Sequence, residues 1–388
     1  MNFDLVVVGG GPVGAACVLA ARGLRAALVS HERREPAAAR DAAALDARVY
    51  ALSPGNVEFL RALGVWQALA PQRLAPVHAM RIFGDRPGAE LAFDAYRAGV
   101  AELAWTVEDA ELQDAMWRCL QGRDGIEAFA PAQCESLQLV PDGAQLQLRD
   151  GRRLAGALVV GADGANSFVR REAGIGARAG EYAHSAVVAN FDCEKAHGGT
   201  AFQWFQGGPV LALLPLPGKR LSMVWSAPAE KADVRARLRP AELCAAVEAA
   251  SGRILGALSL ATPARSYPLQ RLSASRMSAP RIALAGDAAH VIHPLAGQGL
   301  NLGLNDVRAL ARVLSEKEPG RDPGDARLLR RYERLRAEPV RSMERLVDGL
   351  FRLFDARGAM ASFARNTGLN LTSRLPVLKN LLIREAMR

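Results

Sequence analysis

The chain has 388 residues, half of them hydrophobic and 23% charged, enough to bury the cores of about two domains. The net charge is +9 and rests almost entirely on Arg, but the arginines are dispersed. The densest run, "RLLRRYERLRAEPVRSMERL", is broken by Glu333, Glu338 and Glu344 and reads as a solvated amphipathic helix. With no zinc-finger spacing and no RNP signature, nucleic acid is not an expected partner. Five scattered cysteines (Cys17, Cys119, Cys134, Cys193, Cys244) form no C-x-x-C pair. That argues against structural zinc and a disulfide framework, and for buried thiols in a reducing cytosol. No apolar run reaches the roughly 18 residues of a membrane span. The start, "MNFDLVVVGGGPVG", has no basic n-region and no cleavage site, so no signal peptide is expected.

An apolar strand is predicted at Leu5–Val8, followed by Gly9, Gly11 and Gly14 in G-x-G-x-x-G spacing, a helix, and a second strand at Ala26–Val29. In that setting Gly9 allows the tight turn, Gly11 lets a pyrophosphate approach the backbone, and Gly14 lets helix and strand pack closely. The helix N-terminus supplies amide donors and the positive end of its dipole. An acid after the second strand would bond an adenosine ribose. Glu32 lies 23 residues after Gly9, against a usual spacing of about 20, and the Ser30 hydroxyl can share the role.

Residues 76–104 and about 181–266 carry short alternating strands, such as "SAVVANFDC" and "RLSMVWSA". A strand at Leu158–Val160 ends in Gly161-Ala162-Asp163-Gly164, with Asn166, Ser167 and Arg170 just beyond. This cluster suits either a surface turn or a ligand site at a strand's carboxyl end. A further strand, Arg281–Ala285, delivers Gly286 and Asp287, and an irregular stretch runs to Gln298. From Leu300 the spacing of Leu300, Leu304, Val307, Leu310 and Leu314 is helical. Asp287, His290 and His293 lie three apart, but Pro294 and the glycines argue against the helix that would align them on a metal, so no metal is expected. The segment after Ala309 reads as helical, with a kink at Pro339.

In this order, the three motifs resemble the class A flavoprotein monooxygenases, the aromatic hydroxylases. "LDARVYALSPGN", "SYPL", "HPLAGQGLNLGLNDV" and "RNTGLNLTSRLPVLKNLLIREAM" are similar to the ubiquinone-biosynthesis branch. The resemblance implies an α/β fold with a Rossmann-like FAD-binding domain of the para-hydroxybenzoate hydroxylase type, a mixed-sheet substrate domain and a helical C-terminus. The FAD domain would take 1–75, 105–180 and 267–388, and the substrate domain 76–104 and 181–266. It implies FAD contacts at Gly9, Gly11, Pro12, Val13 and Gly14, and at Glu32 and Arg33. Arg48 is implied to reach the flavin and Gln113 its diphosphate or ribityl chain, while Asp163 and Arg170 would serve FAD and NAD(P)H. Gly286 and Asp287 would take the ribitol. Pro294, Gly297, Gln298 and Gly299 would line the isoalloxazine, with the Leu300 and Asn301 amides at its pyrimidine edge. Pro294 and Arg48 are the residues implied nearest the chemistry, as positioning groups.

The implied reaction is hydroxylation of a polyprenylated phenol or benzoquinol by way of a flavin C4a-hydroperoxide. NAD(P)H would supply the electrons and O₂ the oxygen. The absence of a Ser/His/Asp set or paired carboxylates fits chemistry carried by a cofactor. Alternatives are a hydroxylase of a soluble aromatic, a reductase of the same fold without oxygen insertion, and a flavin-binding member of a biosynthetic complex. Cytoplasmic placement is expected, with possible peripheral contact at the inner face of the membrane. In "LPVLKNLLIREAMR", Val377, Leu378, Leu381 and Leu382 make an apolar face beside Lys379 and Arg384, suited to a membrane, a partner or the chain's own core.

Overall fold

The computed structural model describes residues 1–33, 45–86, 88–293 and 297–356. The run Leu5, Val6, Val7 is 0% exposed, as expected of a parallel strand covered on both faces. Asn2–Val8 lies at the centre of an eight-stranded sheet, parallel to Ala26–Val29 on one side and Arg153–Gly161 on the other. Ile126–Phe129 extends the sheet beyond Ala26–Val29, and Ile282–Leu284 extends it beyond Arg153–Gly161, both in parallel. A hairpin, Cys134–Val140 and Gly143–Leu148, adds antiparallel to Arg153–Gly161.

Register brings the three glycine-bearing motifs together. Val8 pairs with Gly161, and Gly161 with Leu284. The chain therefore leaves three neighbouring strands at one edge, as Gly9–Gly14, Gly161–Gly164 and Gly286–Asp287. That edge is the carboxyl end of the parallel strands, where open α/β sheets bind ligands. Helices Asp109–Leu120 and Gly299–Ser315 pack on the first helix, Pro12–Ala20, over this sheet.

A second sheet has nine strands. From one edge the order is His290–Val291, Arg265–Ala274, Ala177–Cys193, Arg220–Pro228, Val210–Leu216, Thr200–Phe205, Ala79–Phe83 and Glu90–Asp94, with Leu258–Leu260 paired to Ala177–Cys193. Strict alternation divides its residues. Val187, Phe191, Leu213 and Met223 point into a core capped by helices Ala229–Ala236 and Pro240–Ala250. The opposite face covers a cavity. The sheet is wider than the 181–266 segment marked by sequence pattern, because Ala177–Cys193 stays bonded to Arg265–Ala274 from Ala177 to Val188. Hydrogen bonding, rather than composition, sets its border. A small third sheet of Val49–Leu52, Ala104–Glu108 and Ala75–Val77 joins the two layers.

The helix Ala326–Asp355 runs through Pro339 without interruption. Pro339 and Leu335, whose carbonyl the proline leaves unbonded, both lie on the exposed side, where water replaces the missing donor. The helix docks through Leu328, Leu329, Tyr332, Val340 and Val347. No helix among the described residues is long and apolar enough to cross a membrane. The face formed by Val377, Leu378, Leu381 and Leu382 lies outside the described residues.

Tyr332 is fully buried, and its hydroxyl donates to the Leu284 carbonyl at 2.7 Å, joining this helix to the strand that precedes Asp287. Tyr332→Phe should cost about 1–2 kcal/mol, since a buried carbonyl loses its donor. Denaturant unfolding of the two proteins at equal flavin content measures the difference.

Candidate active site

The glycine turn is built for close approach. A Cβ at Gly9, where φ is +116°, would sit 2.1 Å from the Ala162 oxygen, and one at Gly14 would sit 1.8 Å from the Gly9 oxygen. These two glycines lock turn, helix and neighbouring strand together. Gly11 differs, since a Cβ there would meet nothing within 4 Å, and its backbone opens on the cavity. Pro12 occupies the first helical turn, where a missing N–H costs nothing, and Pro12 and Val13 line the same wall. Trp117 Nε1 donates to the Gly10 carbonyl at 3.0 Å and supports the turn from behind.

At the end of the second strand, the Ser30 hydroxyl donates to the Glu32 carbonyl at 2.8 Å and accepts from the Glu32 amide at 3.3 Å. Ser30 thus shapes the turn, leaving the exposed Glu32 carboxylate free to point outward, 3.6 Å from His31. His31 lines the cavity. Arg33 is exposed at the border of the described residues.

Arg48 stands on the opposite wall, held by a brace that sequence reasoning missed. Asp46 accepts from the Arg48 amide at 3.0 Å and the Ala110 amide at 3.1 Å, and the Asp46 carbonyl accepts from Asn190 Nδ2 at 2.8 Å. The Arg48 guanidinium lies 5.3 Å from the centre of the Tyr50 ring and faces the cavity. Partial burial works against its charge, but Tyr50, Asp109 and Asp287 outweigh burial and raise its pKa further. Gln113 Nε2 donates to Asp109 Oδ1 at 2.5 Å, which aims Gln113 along the wall.

Asp163 Oδ2 caps the short helix Phe168–Glu172 by accepting from the Val169 amide at 3.1 Å. Its Oδ1 is buried with no hydrogen bond, beside the Gly9 turn. Arg170 does not reach the cavity. Its guanidinium donates to the Ala288 carbonyl at 2.8 Å and the Ala165 carbonyl at 2.7 Å. Arg170 therefore ties the second motif to the third.

The third motif rests on a buried ion triad. Asp306 is 0% exposed. One carboxylate oxygen accepts from the Gly286 amide at 2.9 Å and lies 2.6 Å from His290 Nε2, while the other accepts from Arg336 Nε at 2.6 Å. Burial alone would raise the Asp306 pKa, but the two cations hold it below the ordinary 3.8. Burial opposes charge on His290, but Asp306 wins and raises its pKa above 6.5. Asp287 turns the other way, into the cavity, where burial raises its pKa against the pull of His290 and Arg48. His290 is thus bonded within the fold to Asp306, and among the described residues no three His, Cys, Asp or Glu converge on a metal position.

Helix Gly299–Ser315 begins at the cavity, with Gly297, Gln298, Gly299 and Leu300 on its wall. The Leu302 amide closes the first turn onto the Gln298 carbonyl, so the amides of Gly299, Leu300 and Asn301 precede the helix's own ladder. The Asn301 side chain is used elsewhere. It accepts from the Ser53 amide and donates to the Ala51 carbonyl, both at 2.8 Å, pinning this helix start to the strand that follows Arg48. Pro294 lies outside the described residues. His293, just before it, packs against Tyr182 and Phe351 with ring centres 4.8 Å away in each case. Burial, reinforced by His184, holds its pKa down to about 4, so it is neutral near pH 7.

All these walls enclose one cavity of about 1520 Å³. Beyond the glycine turn it widens into an apolar chamber between the second sheet (Ile82, Leu91, Phe205, Leu214) and the long helix (Met343, Val347, Leu350). FAD fits the residues present. The open backbone at Gly11 suits a pyrophosphate, the unbonded Asp163 oxygen and Asp287 suit hydroxyl donors, and the free amides at Gly299–Asn301 suit an anionic ring edge.

Sequence reasoning did not find Asp306 and Arg336, but it had a signal for both. Asp306 interrupts the apolar row Leu302, Asp306, Leu310, and Arg336 interrupts Leu329, Tyr332, Arg336, Val340. A charge inside a buried stripe needs a buried partner. Asp306→Asn should destabilise the fold by about 3–5 kcal/mol by stranding two cations. The His290 contribution is complete below pH 6.5 and fades as pH rises through its raised value, and that of Asp306 is complete above 3.8 and fades as pH falls through its lowered value. The stability gap between wild type and Asp306→Asn should therefore be widest between 3.8 and 6.5, as unfolding midpoints across pH will show.

The profile of an FAD binding domain matches residues 2–347. A ubiquinone hydroxylase of Rhodospirillum rubrum, UbiL, is 36% identical over 99% of this chain and 89% of its own length. The 3-demethoxyubiquinol 3-hydroxylase of Escherichia coli is 34% identical over 99% of this chain and 98% of its own. Among solved structures, PqsL, a probable FAD-dependent monooxygenase of Pseudomonas aeruginosa, superposes with a TM-score of 0.79 at 23% identity, covering 96% of this chain and 100% of that one.

Proposed function

This chain belongs to the FAD-binding family of flavoprotein monooxygenases, and we propose that it hydroxylates the aromatic ring of a prenylated phenol or benzoquinol in ubiquinone biosynthesis. The observation that carries this reading is one continuous cavity, with the flavin-binding motifs at one end and an apolar chamber at the other. That chamber suits a ring bearing an isoprenoid chain, and the two relatives act on ubiquinone-type rings by name. Bound FAD supplies the redox chemistry, accepting electrons from NAD(P)H and activating O₂.

The chain's own part is binding, orientation and exclusion of water. We assign the pyrophosphate to Gly9–Gly14, with Pro12 and Val13 on the wall, and the adenosine to Glu32, with Arg33 beyond it. Gln113 and Asp163 face the middle of the cofactor, and Asp287 takes ribityl hydroxyls. Arg48 would serve from across the cavity, and the helix start at Gly297–Asn301 would stabilise negative charge on the bound flavin through its dipole. Pro294 is assigned to the ring face. Arg170 and Gly286 serve as braces for these groups. The apolar sheet and helix keep water from the reacting centre.

Peripheral membrane contact belongs to the same reading. Leu346 lines the cavity yet is 50% exposed, which marks a mouth, and Arg341, Arg345 and Arg352 are exposed on the same helix. An apolar mouth beside cations suits an anionic bilayer. Flotation with anionic liposomes should carry the full chain. Equal flotation by a chain ending at Arg374 would remove any role for the last residues.

The protein should purify yellow, and Asp287→Ala should lose most of its flavin, as absorbance near 450 nm will report. With ¹⁸O₂ and NAD(P)H, a prenylated phenol should gain one labelled oxygen. Unlabelled product, or turnover of soluble phenols only, would overturn the proposed reaction or substrate respectively.

A further inference from the structure

Strand register identifies the residues that roof the cavity. One row crosses six strands as Leu91, Ile82, Gln203, Ala212, Val224 and Val188, each paired with the next. The adjacent row runs Phe205, Val210, Ser226, Ala186 and Tyr267. All of these line the cavity. In the first row Gln203 is the only polar side chain.

Its setting is unusual for an amide. Gln203 is 6% exposed, and among the described residues its side chain has no hydrogen-bond partner. Ser226, in the next row, is already bonded to the Val210 carbonyl at 3.4 Å. Its amide atoms are open to the cavity, where a ligand that displaces water must bond them or leave them unpaired. Small neighbours, Ala201 on its own strand and Ala212 across the pair, leave room for a ligand against it. The position lines the same cavity as the glycine motifs. Thr106 donates to the Pro215 carbonyl at 2.5 Å and so holds the small sheet that carries Tyr50 and Ala51 against the strand of Ala212. Three residues of strand, about 10 Å, separate Pro215 from Ala212.

We propose that Gln203 hydrogen-bonds an oxygen substituent on the substrate's aromatic ring and so determines which ring is accepted. A carboxamide both donates and accepts, so it can meet a hydroxyl or a methoxyl. The surrounding apolar row gives a ring without that oxygen nothing to bond. This rests on the proposed reading of the cavity as a phenol site and adds the group that reads the ring.

The test is Gln203→Met, which keeps length and volume and removes the amide. The kcat/KM ratio for 2-geranyl-6-methoxyphenol over 2-geranylphenol is measured in both proteins at full flavin loading. The ratio should fall by about 10- to 100-fold in the variant, mostly through KM for the methoxylated ring. The melting temperature should hold, because the amide opens on the cavity and no hydrogen bond within the described residues is lost. An unchanged ratio overturns the proposal, as does a lowered melting temperature with lost flavin, which would make the amide a structural group. If wild type turns over neither geranylated phenol, the proposed substrate class fails. The Gln203 proposal is then judged by the same ratio for 2-methoxyphenol over phenol.

Discussion

The site depends on one buried carboxylate. Asp306 receives the Gly286 amide and His290 from the third motif and Arg336 from the long helix, all of them buried. Gly286 begins the turn that aims Asp287 into the cavity. Arg336 belongs to the long helix whose later residues, Met343 to Leu353, wall the apolar chamber. Cofactor end and substrate end thus share one electrostatic anchor. Such an anchor is weak evidence for stability over an apolar replacement, but removing one partner alone is severe, because the remaining charges cannot be rehydrated in place.

A second layer of backbone clamps completes the frame. Arg170 holds Ala288 and Ala165, Asn301 holds Ala51 and Ser53, and Asp46 holds Arg48 and Ala110. Each is a polar side chain near a motif that bonds main chain. Around the glycine motifs, the groups that face the cavity include the Gly11 backbone, Arg48, Gln113, Asp163, Asp287 and the helix start at Gly299. This division lets a site without nucleophiles be rigid. The residues that fix geometry sit behind those that face the cavity.

Much of the first sheet was legible in the chain. Leu5–Val8, Ala26–Val29, Leu158–Val160 and Arg281–Ala285 are largely apolar runs, all but the second followed by glycine, and the first three lie within or match strands of the structure. The fourth is trimmed to Ile282–Leu284. The second sheet was legible as alternation but not as extent, since Arg265–Ala274 has mixed character and is held by pairing to Ala177–Cys193. Arg170 shows the limit of motif reading. Its place in "GADGANSFVR" suggests a phosphate, and only the fold shows two carbonyls within reach of its guanidinium.

By itself the sequence determined the order of the motifs, the strand–turn–helix chemistry of Gly9–Gly14 and the helix beginning near Leu300. These depend on local periodicity and on steric needs that glycine alone meets. Tertiary structure decided which side of each motif faces a ligand. Asp287 and Asp306 are both acids near one turn, yet one opens on the cavity and the other is sealed by two cations. Gln203 is one polar residue in an alternating strand until register places five apolar neighbours in its row. Orientation of this kind comes from contacts between residues as far apart as Asp306 and Arg336, or Ile82 and Gln203, and no local pattern encodes it.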